Sequence, residues 1–598
     1  MTFFITTAID YTNAAPHIGH AYEKVLADVL ARYHRLKGDE VFFLTGVDQH
    51  GQKVQQSAEK QGIAPQEFVD GVTAKFVALW EKLDVRYDAW AATTDERHKE
   101  CVRKILTRLN DEGQIYKAKR AGYYSVRQEQ FLTDKERGED GEFGPEWGQV
   151  EFREEENYYF KLAEHKDWLL DLIKARSEAG RPLVVPEFRV AELRNAVEKL
   201  EGDLCISRPK SRLSWGIEFP FDPEFVTYVW FDALVNYISF APGFDLEFNP
   251  EAKPSSASLR FKDLWPPLHV IGKDIMIPAH GVYWPIMLKA IGFTADEIPP
   301  LLVHGFWNMS GAKMSKSLGN IVDPDQGVEN LKPALRTALE KVNSERVKKK
   351  EVPILQIKMD EIVERCAPEA VRYYLVSDIA TGKDADFSEE RLIQRYNTDL
   401  ANSLGNLLNR TLSMVAKFRA CSVTCPPYLR ERMLREVPHA SIEGEPDFPS
   451  GSPLHWVQTR AHNAGSVRHA YVPSMDRYAV SEAMSNALYT ATYSNELIQL
   501  TAPWELAKAE KENPAIAVEL DAVLYHLAES LRIIAILISP VLPKAAAGIF
   551  AQLNWDKDEH GNPRPFRLED AKWGGLPDGH VLGTPTPLFP RIEIPPPA

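Results

Sequence analysis

The pattern of apolar and polar positions at the start of the chain predicts a strand, a helix and a second strand. Residues 3–9 form a compact run of aromatic and β-branched side chains that is typical of a strand, and residues 10–16 break it. From residue 21 to 36 apolar side chains recur at helical spacing, and Gly38 stands where a C-terminal cap is expected. Residues 40–45 form the next apolar run. This order predicts two parallel strands joined by a right-handed crossover, and therefore an α/β domain.

Alternating apolar and polar positions further on predict that a β-rich lobe interrupts this domain. Residues 116–131 alternate as in a hairpin, whereas residues 158–172 and 190–200 have the apolar spacing of helices. The chain then returns to the first domain. We therefore predict a split α/β domain formed by residues 1–113 and 221–325, with residues 114–220 as an inserted connective lobe.

The second half of the chain has the period of helices. Residues 326–385 form a predicted linker region with a charged insertion, which ends in a basic cluster. Residues 386–553 contain long segments of helical apolar spacing with few breakers, and these predict an α-helical bundle. An irregular, proline-rich tail covers residues 554–598. The helices of the bundle are predicted at residues 387–420, 454–471, 475–501 and 515–537.

Composition is typical of a soluble globular protein with several domains. The chain has 598 residues, of which 44% are hydrophobic and 26% charged. A chain of this length is expected to divide into about three or four domains. No secretory signal is predicted at the N-terminus, and the longest apolar run, residues 533–542, is too short to span a bilayer. We therefore expect a cytoplasmic protein without a membrane partner.

Net charge and cysteine content exclude few classes of function. The formal net charge is −15, but phosphate binding depends on the local field, because salt screens charges beyond roughly 10 Å. Cys421 and Cys425 are the only cysteines close in sequence, and neither a second pair nor an adjacent histidine completes a zinc motif. We expect reduced thiols and no structural zinc.

Two short stretches far apart in the chain carry the candidate chemistry. His17 and His20 flank Gly19 at the predicted start of the first helix, a position that favours anions. Lys313 and Lys316 lie three positions apart in a glycine-bearing loop and can place two ammonium groups on one polyphosphate. Donors aimed at an α-phosphate under attack would help to expel pyrophosphate. The alternative for the histidines alone is a capping loop with two surface side chains; together with the lysines they predict an ATP-activating site.

These two stretches resemble the two signatures of class I aminoacyl-tRNA synthetases. Over nearly the whole chain, the finer pattern resembles the methionyl-tRNA synthetase family. The resemblance implies a Rossmann-like parallel-sheet catalytic domain and an ATP-dependent ligase that forms methionyl-adenylate and then methionyl-tRNA. The matching segments are residues 8–11 (AIDY), 45–51 (TGVDQHG), 228–234 (YVWFDAL), 271–275 (IGKDI) and 399–410 (DLANSLGNLLNR).

The resemblance implies a pocket whose chemistry suits methionine. The thioether is flexible and polarizable and makes favourable contacts with aromatic edges, so an aromatic-lined pocket fits it. Asp48 would pair with the α-ammonium group. Without the resemblance, the aromatic side chains would be interpreted as ordinary core residues. The implied pocket residues are Ile9, Tyr11, Trp230, Ala233, Leu234, Tyr237 and His280.

The resemblance also implies the nucleotide site, with ATP and Mg²⁺ as cofactors. His17, His20, Lys313 and Lys316 would be catalytic, and a lysine loop that closes only on bound ATP would act mainly in the transition state. Asp274 would lie near the ribose. The implied ATP-binding residues are His17, Gly19, His20, Gly272, Asp274, Lys313 and Lys316.

The helical domain is implied to recognise the CAU anticodon of tRNA(Met), the initiator included. Reading single-stranded bases requires hydrogen bonds to their edges and stacking on aromatic side chains. Asn406 and Arg410 are four apart and share a helical face, and Trp504 would supply the stacking surface. A single tryptophan is otherwise more often part of the core.

Two features concern branches within the family. Ser125 and Gln128 stand where many relatives carry a cysteine pair, which resembles the zinc-free type. The basic cluster of the insertion, Arg346 with residues 348–350, is either a solvated helix surface or a contact for tRNA phosphates. Because no further globular module is predicted after the tail, we expect a monomer.

Two alternative functions stay open at this point. One is a class I synthetase for another apolar amino acid, which the aromatic pocket and the lack of a large editing insertion disfavour. The other is a catalytically silent tRNA-binding protein on the same fold, which the complete histidine and lysine signatures disfavour.

Overall fold

The computed structural model gives the following elements. It describes residues 1–598 except 126–129, 133–136, 139, 245–260, 310, 314–321, 428–429, 431–449, 559 and 594–598, and also excepts the side chains of 130–131, 146, 312–313 and 459–466. The strands are β1 (Thr2–Thr7), β2 (Asp10–Tyr11), β3 (Glu40–Asp48), β4 (Ala89–Ala92), β5 (Ile115–Ser125), β6 (Gln130–Leu132), β7 (Val150–Phe160), β8 (Val184–Val185), β9 (Leu204–Cys205), β10 (Ser207–Pro209), β11 (Glu218–Phe219), β12 (Asp222–Thr227), β13 (Leu268–Gly272), β14 (Leu301–His304), β15 (Trp307–Met309), β16 (Ala312–Lys313), β17 (Ala385–Asp386), β18 (Ser422–Val423) and β19 (His580–Val581). The helices are α1 (Ile18–Lys37), α2 (Gln52–Gln61), α3 (Pro65–Lys82), α4 (Glu96–Asp111), α5 (Lys166–Glu178), α6 (Val190–Glu198), α7 (Val229–Leu234), α8 (Asn236–Ser239), α9 (Phe261–Leu264), α10 (Lys273–Ile275), α11 (Trp284–Ala290), α12 (Pro324–Lys348), α13 (Gln356–Ser377), α14 (Glu389–Arg395), α15 (Asn406–Arg419), α16 (Pro453–Asp476), α17 (Val480–Thr501), α18 (Pro503–Ala509), α19 (Ala517–Ile538) and α20 (Pro543–Gln552).

A twisted parallel sheet forms the centre of the N-terminal half, as the sequence predicts. Its strand order is β2-β3-β1-β13-β14-β8, with β4 paired to β3. The register of β1 with β3 runs parallel from Thr2 opposite Glu40. The predicted helix at residues 21–36 is α1, and it ends at Gly38, whose φ of 93° is the left-handed conformation expected of the cap. The α/β class is therefore confirmed.

Helix α1 is buried along most of its length because it packs between the sheet and the helical half of the chain. Asp28 at its middle forms an ion pair with Arg372 of α13 at 2.7 Å, and both side chains are fully buried. Arg372 also donates to the carbonyl oxygens of Leu83 and Val541. A guanidinium group satisfied in this way can be buried, and it joins the helical domain to the helix that begins at the two histidines.

The lobe differs from the prediction in two places. Residues 158–172 were predicted to be one helix, but β7 continues to Phe160 and α5 begins only at Lys166. The prediction was wrong because Tyr158 and Phe160 pair with β5 opposite Lys117 and Ile115, and this long-range pairing overrides the local period. The hairpin and the helix near residues 190–200 are confirmed by β5 with β6 and by α6.

One strand of the central sheet lies inside the predicted bounds of the connective lobe. Val184–Val185 lie within residues 114–220, yet they pair in parallel with Leu301 and Leu302 as the edge strand β8 of the central sheet. A two-residue strand has no period that a sequence pattern can reveal. The rest of the lobe forms the antiparallel sheet β6-β5-β7-β9.

The C-terminal half is a helical bundle, as predicted. Helices α14 and α15 are joined by a π-helical segment, Tyr396–Gly405, into the predicted helix over residues 387–420, and α16, α17 and α19 match the other three predictions. The insertion is formed by α12 and the start of α13.

The tail packs on the bundle, where β19 pairs with β18 and Asn397 binds the backbone of Ile592. Among the described residues, no helix has the length and apolarity needed to cross a membrane.

Candidate functional site

A cavity of about 470 Å³ lies where β1, β3, β13 and β14 end. Ligands of open α/β sheets bind at this carboxyl edge. Two groups of sequence-predicted residues, one for the nucleotide and one for methionine, line this cavity together. They are His17, Gly19, His20, Gly272 and Asp274, and Ile9, Tyr11, Asp48, Trp230, Ala233, Leu234, Tyr237 and His280.

The two histidines cap α1 and line the cavity. The backbone N–H of Gly19 donates to Nδ1 of His17, and the backbone N–H of His17 donates to Nδ1 of His20, each at 3.1 Å. Because each Nδ1 accepts, the proton of a neutral ring is on Nε2, which can donate to a ligand. Burial first, and then the neighbouring charge of His17, hold the pKa of His20 well below its usual value. A Cβ on Gly19 would lie 3.0 Å from Cε1 of His17, so glycine admits this ring position.

An aromatic wall formed by Trp230, Tyr237 and His280 lines part of the cavity. The hydroxyl of Tyr237 donates to Nε2 of His280 at 2.7 Å, while Nδ1 of His280 donates to the carbonyl of Ile275 at 3.0 Å. Burial lowers the pKa of His280 to about 4, so the ring is neutral at pH 7. The ring of Trp230 meets His280 edge to face at 6.3 Å. His280 lies in a π-helical segment, Met276–Tyr283, an irregularity frequent at functional sites.

Asp48 ends β3 beside the strand that carries Tyr11. Tyr11 and Asp48 are register partners in the parallel pairing of β2 and β3. Gly51 follows with a φ of 111°, and a Cβ there would lie 2.7 Å from the hydroxyl of Tyr11. Glycine is therefore required for the close approach of the Tyr11 hydroxyl to residue 51, and both Tyr11 and Asp48 line the cavity.

A buried carboxylate that the sequence analysis did not single out joins two of the matching segments. Asp232 of α7 contacts Nδ1 of His50 at 2.7 Å and Nε2 of His98 at 2.8 Å. Burial would raise the pKa of Asp232, but the two histidines outweigh it and lower that pKa to about 2. The helix that carries Trp230 is thereby tied to the loop that follows Asp48. The only signal in the sequence is the position of Asp232 and His50 inside two matching segments.

A second charged cluster also lies beyond the predicted set. Asp10, Glu23 and His304 line the cavity, and the fully buried Lys24 lies directly behind them. Nε2 of His304 lies 3.1 Å from Glu23, and the side chain of Asp274 lies close to Gly272 at the same edge. Asp10 lies in the matching segment 8–11 and Asp274 is one of the implied ATP-binding residues. No sequence pattern marks Glu23 or Lys24 as buried, because charged positions on a helix are normally solvated.

The lysine loop begins next to the cavity. β16 pairs with β15, with Lys313 opposite Asn308, and Trp307 of β15 lines the cavity. The side chain of Lys313 and the whole of Lys316 lie outside the described residues.

Of the two positions where many relatives carry a cysteine pair, Gln128 lies outside the described residues. The hydroxyl of Ser125 donates to the carbonyl oxygen of Trp147 at 2.5 Å. In the described part of the chain, no group of three or more histidine, cysteine or acidic side chains is arranged to hold a metal.

The predicted anticodon residues lie on the helical domain and do not approach the cavity lining. Asn406 is exposed at the start of α15, and its amide lies 3.5 Å from Asn495 of α17. Arg410 follows one turn later, and Trp504 is 44% exposed at the start of α18. Tyr489, which the sequence did not single out, is 54% exposed on α17. Its ring centroid lies 4.1 Å from that of Tyr493.

Two family models match the chain. The one described as tRNA synthetases class I (M) matches residues 3–140, 147–348 and 343–412. The anticodon binding domain of methionyl tRNA ligase matches residues 460–594. The first covers nearly all of the central sheet and the helices up to the start of α15, and the second covers most of α16 and the helices that follow it.

Curated relatives and solved structures agree with these models. Methionine–tRNA ligases of Nostoc sp. and Lactococcus lactis are 36% and 35% identical to the chain over 99% of its length, covering 97% and 78% of those proteins. Mycobacterium tuberculosis methionyl-tRNA synthetase in complex with methionyl-adenylate superposes with a TM-score of 0.77 at 32% identity, covering 99% of this chain and 100% of that one. Its apo form gives a TM-score of 0.72 at 30% identity, covering 99% of both chains. The chain therefore belongs to the methionyl-tRNA synthetase family of class I tRNA synthetases, and it is a methionine–tRNA ligase that uses ATP.

Proposed function

We propose that both chemical half-reactions take place in the cavity at the carboxyl edge of the central sheet. A carboxylate oxygen of L-methionine attacks the α-phosphorus of ATP, the bond to the bridging oxygen breaks, and pyrophosphate leaves. A ribose hydroxyl at the 3′ end of tRNA(Met) then attacks the methionyl carbonyl carbon and displaces AMP. The observation that carries this proposal is that the predicted nucleotide residues and the predicted methionine residues line one cavity.

The nucleotide part of the proposal assigns the phosphates to His17 and His20. In both rings Nδ1 accepts a backbone N–H, so Nε2 carries the proton of the neutral ring and can donate to a phosphate oxygen. Donors held in place by capping bonds need no reorganisation when charge develops on the phosphate oxygens. Lys313 and Lys316 would stabilise the departing pyrophosphate, and Gly272 and Asp274 would lie at the ribose.

The methionine part assigns the thioether to the aromatic wall. Trp230, Tyr237 and the neutral ring of His280 form an aromatic surface. Sulfur makes favourable contacts with the edges of aromatic rings. Ile9, Tyr11, Ala233 and Leu234 complete this surface. Asp48 would accept hydrogen bonds from the α-ammonium group.

Further properties are proposed beyond these roles. Mg²⁺ would enter with the ATP polyphosphate and neutralise its charge. The enzyme would act in the cytoplasm as a monomer without structural zinc. Its tRNA substrates would be elongator and initiator tRNA(Met). Asn406, Arg410 and Trp504 would contact the anticodon. Light scattering tests the monomer, and metal analysis that finds stoichiometric zinc in the purified protein would contradict the zinc-free assignment.

The methionine assignment is tested by ATP–pyrophosphate exchange with each of the standard amino acids. We expect exchange with methionine to exceed exchange with any other by at least about 10-fold, because shape discrimination in an apolar pocket reaches that magnitude. Asp48→Asn is expected to raise the KM for methionine about 10- to 100-fold through loss of a charge-assisted hydrogen bond, with the KM for ATP little changed. A preference for another amino acid, or no exchange at all, would overturn the proposed function.

The basic cluster at the end of α12 is proposed to contact tRNA phosphates. Lys348, Lys349 and Lys350 are exposed at the tip of the hairpin between α12 and α13, whereas Arg346 donates to the carbonyl of Val352. Substituting the three lysines by alanine is expected to reduce the salt slope of tRNA binding by about 1 per lysine that contacts a phosphate. Exchange without tRNA serves as the control and should not change. An unaltered slope would show that the tip is only a solvated surface.

A further inference from the structure

A buried lysine lies behind the cavity and contacts two segments that line it. Lys24 of α1 is fully buried, and its Nζ donates to Asp10 at 2.6 Å, to Glu23 at 2.9 Å and to the carbonyl oxygen of Ala8 at 2.9 Å. These three acceptors satisfy all three protons of the ammonium group. The lysine therefore has one fixed geometry.

The contacts of Lys24 connect the segment proposed to bind methionine with the helix proposed to bind the phosphates of ATP. Ala8 and Asp10 bracket Ile9 at the end of β1 and the start of β2, the segment proposed to hold methionine. Lys24 lies four residues after His20 on the same face of α1, the helix whose start is proposed to hold the phosphates. Through Glu23 the cluster also reaches His304 at the end of β14. Lys24 thus ties the start of β2 to α1, and Glu23 ties α1 to the end of β14.

Burial of such a cluster is costly unless every charge is paired. Asp10 is 4% exposed, and its Oδ2 has no hydrogen-bond partner in the part of the chain that the structure describes. Burial, only partly opposed by Lys24, raises the pKa of Asp10 to about 7, and burial of Glu23 is outweighed by Lys24 and His304, which lower its pKa. The other titratable groups around the cluster are His20, Tyr237, His280 and His304, and Asp48 lines the same cavity.

We propose that Lys24 and Asp10 are positioning residues for adenylate formation, which set the separation between the methionine carboxylate and the α-phosphate. Neither residue needs to touch a reacting atom. Lys24 holds the Ala8–Asp10 backbone against α1, so the two substrates meet at one distance. This inference rests on the proposed function of the cavity.

Loss of this positioning should appear in turnover and not in affinity. Lys24→Met keeps the length of the side chain but removes the charge, and we expect it to lower kcat of exchange about 10- to 100-fold, because small misplacements of reacting groups have effects of this size. The KM values for methionine and ATP should change by less than about 3-fold, because uniform binding is retained. The double variant Asp10→Asn/Lys24→Met should be no slower than Lys24→Met, since it leaves no unpaired carboxylate at Asp10.

A pH profile separates positioning from a purely structural role. Asp10 becomes ionised as the pH rises through about 7, so its ion pair with Lys24 forms above that pH and weakens below it. The exchange rate of the unaltered enzyme should therefore fall as the pH drops below about 7, and Asp10→Asn should remove this inflection. Asp10→Asn is nearly isosteric, and its melting temperature establishes that it folds.

The control is Lys37→Met, which removes another lysine–aspartate contact of α1, to Asp476 at 2.9 Å, at the end of the helix remote from the cavity. It should leave exchange kinetics unchanged. A folded Lys24→Met variant with kcat within about 2-fold of the unaltered enzyme, or an inflection that persists in Asp10→Asn, would overturn the inference. Absence of exchange in the unaltered enzyme would instead contradict the proposed function.

Discussion

Replacing His20 by asparagine is expected to lower the kcat of methionine-dependent ATP–pyrophosphate exchange by about 100-fold or more, the usual effect of removing one preorganised donor to a developing oxyanion. His20 has two roles that the substitution separates. Its Nδ1 accepts the backbone N–H of His17 and caps α1. Its Nε2 is the donor that we assign to the phosphates of ATP.

The expected result follows from the positions of the side-chain atoms. The asparagine Oδ1 can take the place of Nδ1 and preserve the cap, but nothing replaces Nε2. Glutamine at position 20 would keep the donor to the phosphates but not the cap, because its amide nitrogen can reach the position of Nε2. We therefore expect His20→Gln to recover part of the lost rate, and both variants to keep the KM for methionine within about 3-fold, because neither alters the aromatic wall.

Measurement of exchange together with thermal unfolding distinguishes the two roles. If His20 acted only as a cap, asparagine would retain activity and glutamine would lose it, and both effects would parallel the change in melting temperature. A cap is worth about 0.5–2 kcal/mol of stability. Activity of His20→Asn close to that of the unaltered enzyme would remove His20 from the phosphate site.

Replacing Trp504 by alanine is expected to lower kcat/KM for tRNA(Met) in the charging reaction about 10- to 100-fold, because stacking of one base on an aromatic ring contributes about 1–3 kcal/mol. The indole is 44% exposed at the start of α18, in the domain matched by the anticodon-binding model. Adenylate formation does not involve tRNA, so ATP–pyrophosphate exchange without tRNA should remain unchanged.

A neighbouring apolar residue provides the matched control. Leu500 is 48% exposed near the end of α17, four positions before Trp504, but it offers no ring for a base. Leu500→Ala should therefore affect charging much less than Trp504→Ala. Equal losses in charging and exchange for Trp504→Ala would indicate misfolding, and unaltered charging would remove Trp504 from the anticodon site.

Much of the fold could be predicted because its signals are local. The strand–helix–strand order, the cap at Gly38 and the helices of the C-terminal half depend on periods and on single residues that act within a few positions. The edge strand Val184–Val185 and the extension of β7 to Phe160 depend on partners far away in the chain. Local patterns do not contain that information, and the predicted helix over residues 158–172 was wrong for this reason.

The sequence by itself determined the family, the initial strand–helix–strand unit, the helical C-terminal half and the candidate ligand-binding residues, because these depend on short motifs and local periods. Only the tertiary structure decided that nucleotide and methionine residues from distant segments line one cavity. It also decided that Asp232 joins two of those segments and that Lys24, an ordinary helix lysine in the sequence, is buried between three acceptors. Burial and pairing of a charge are set by what the folded chain places around it, and the residues that do so here are far apart in sequence.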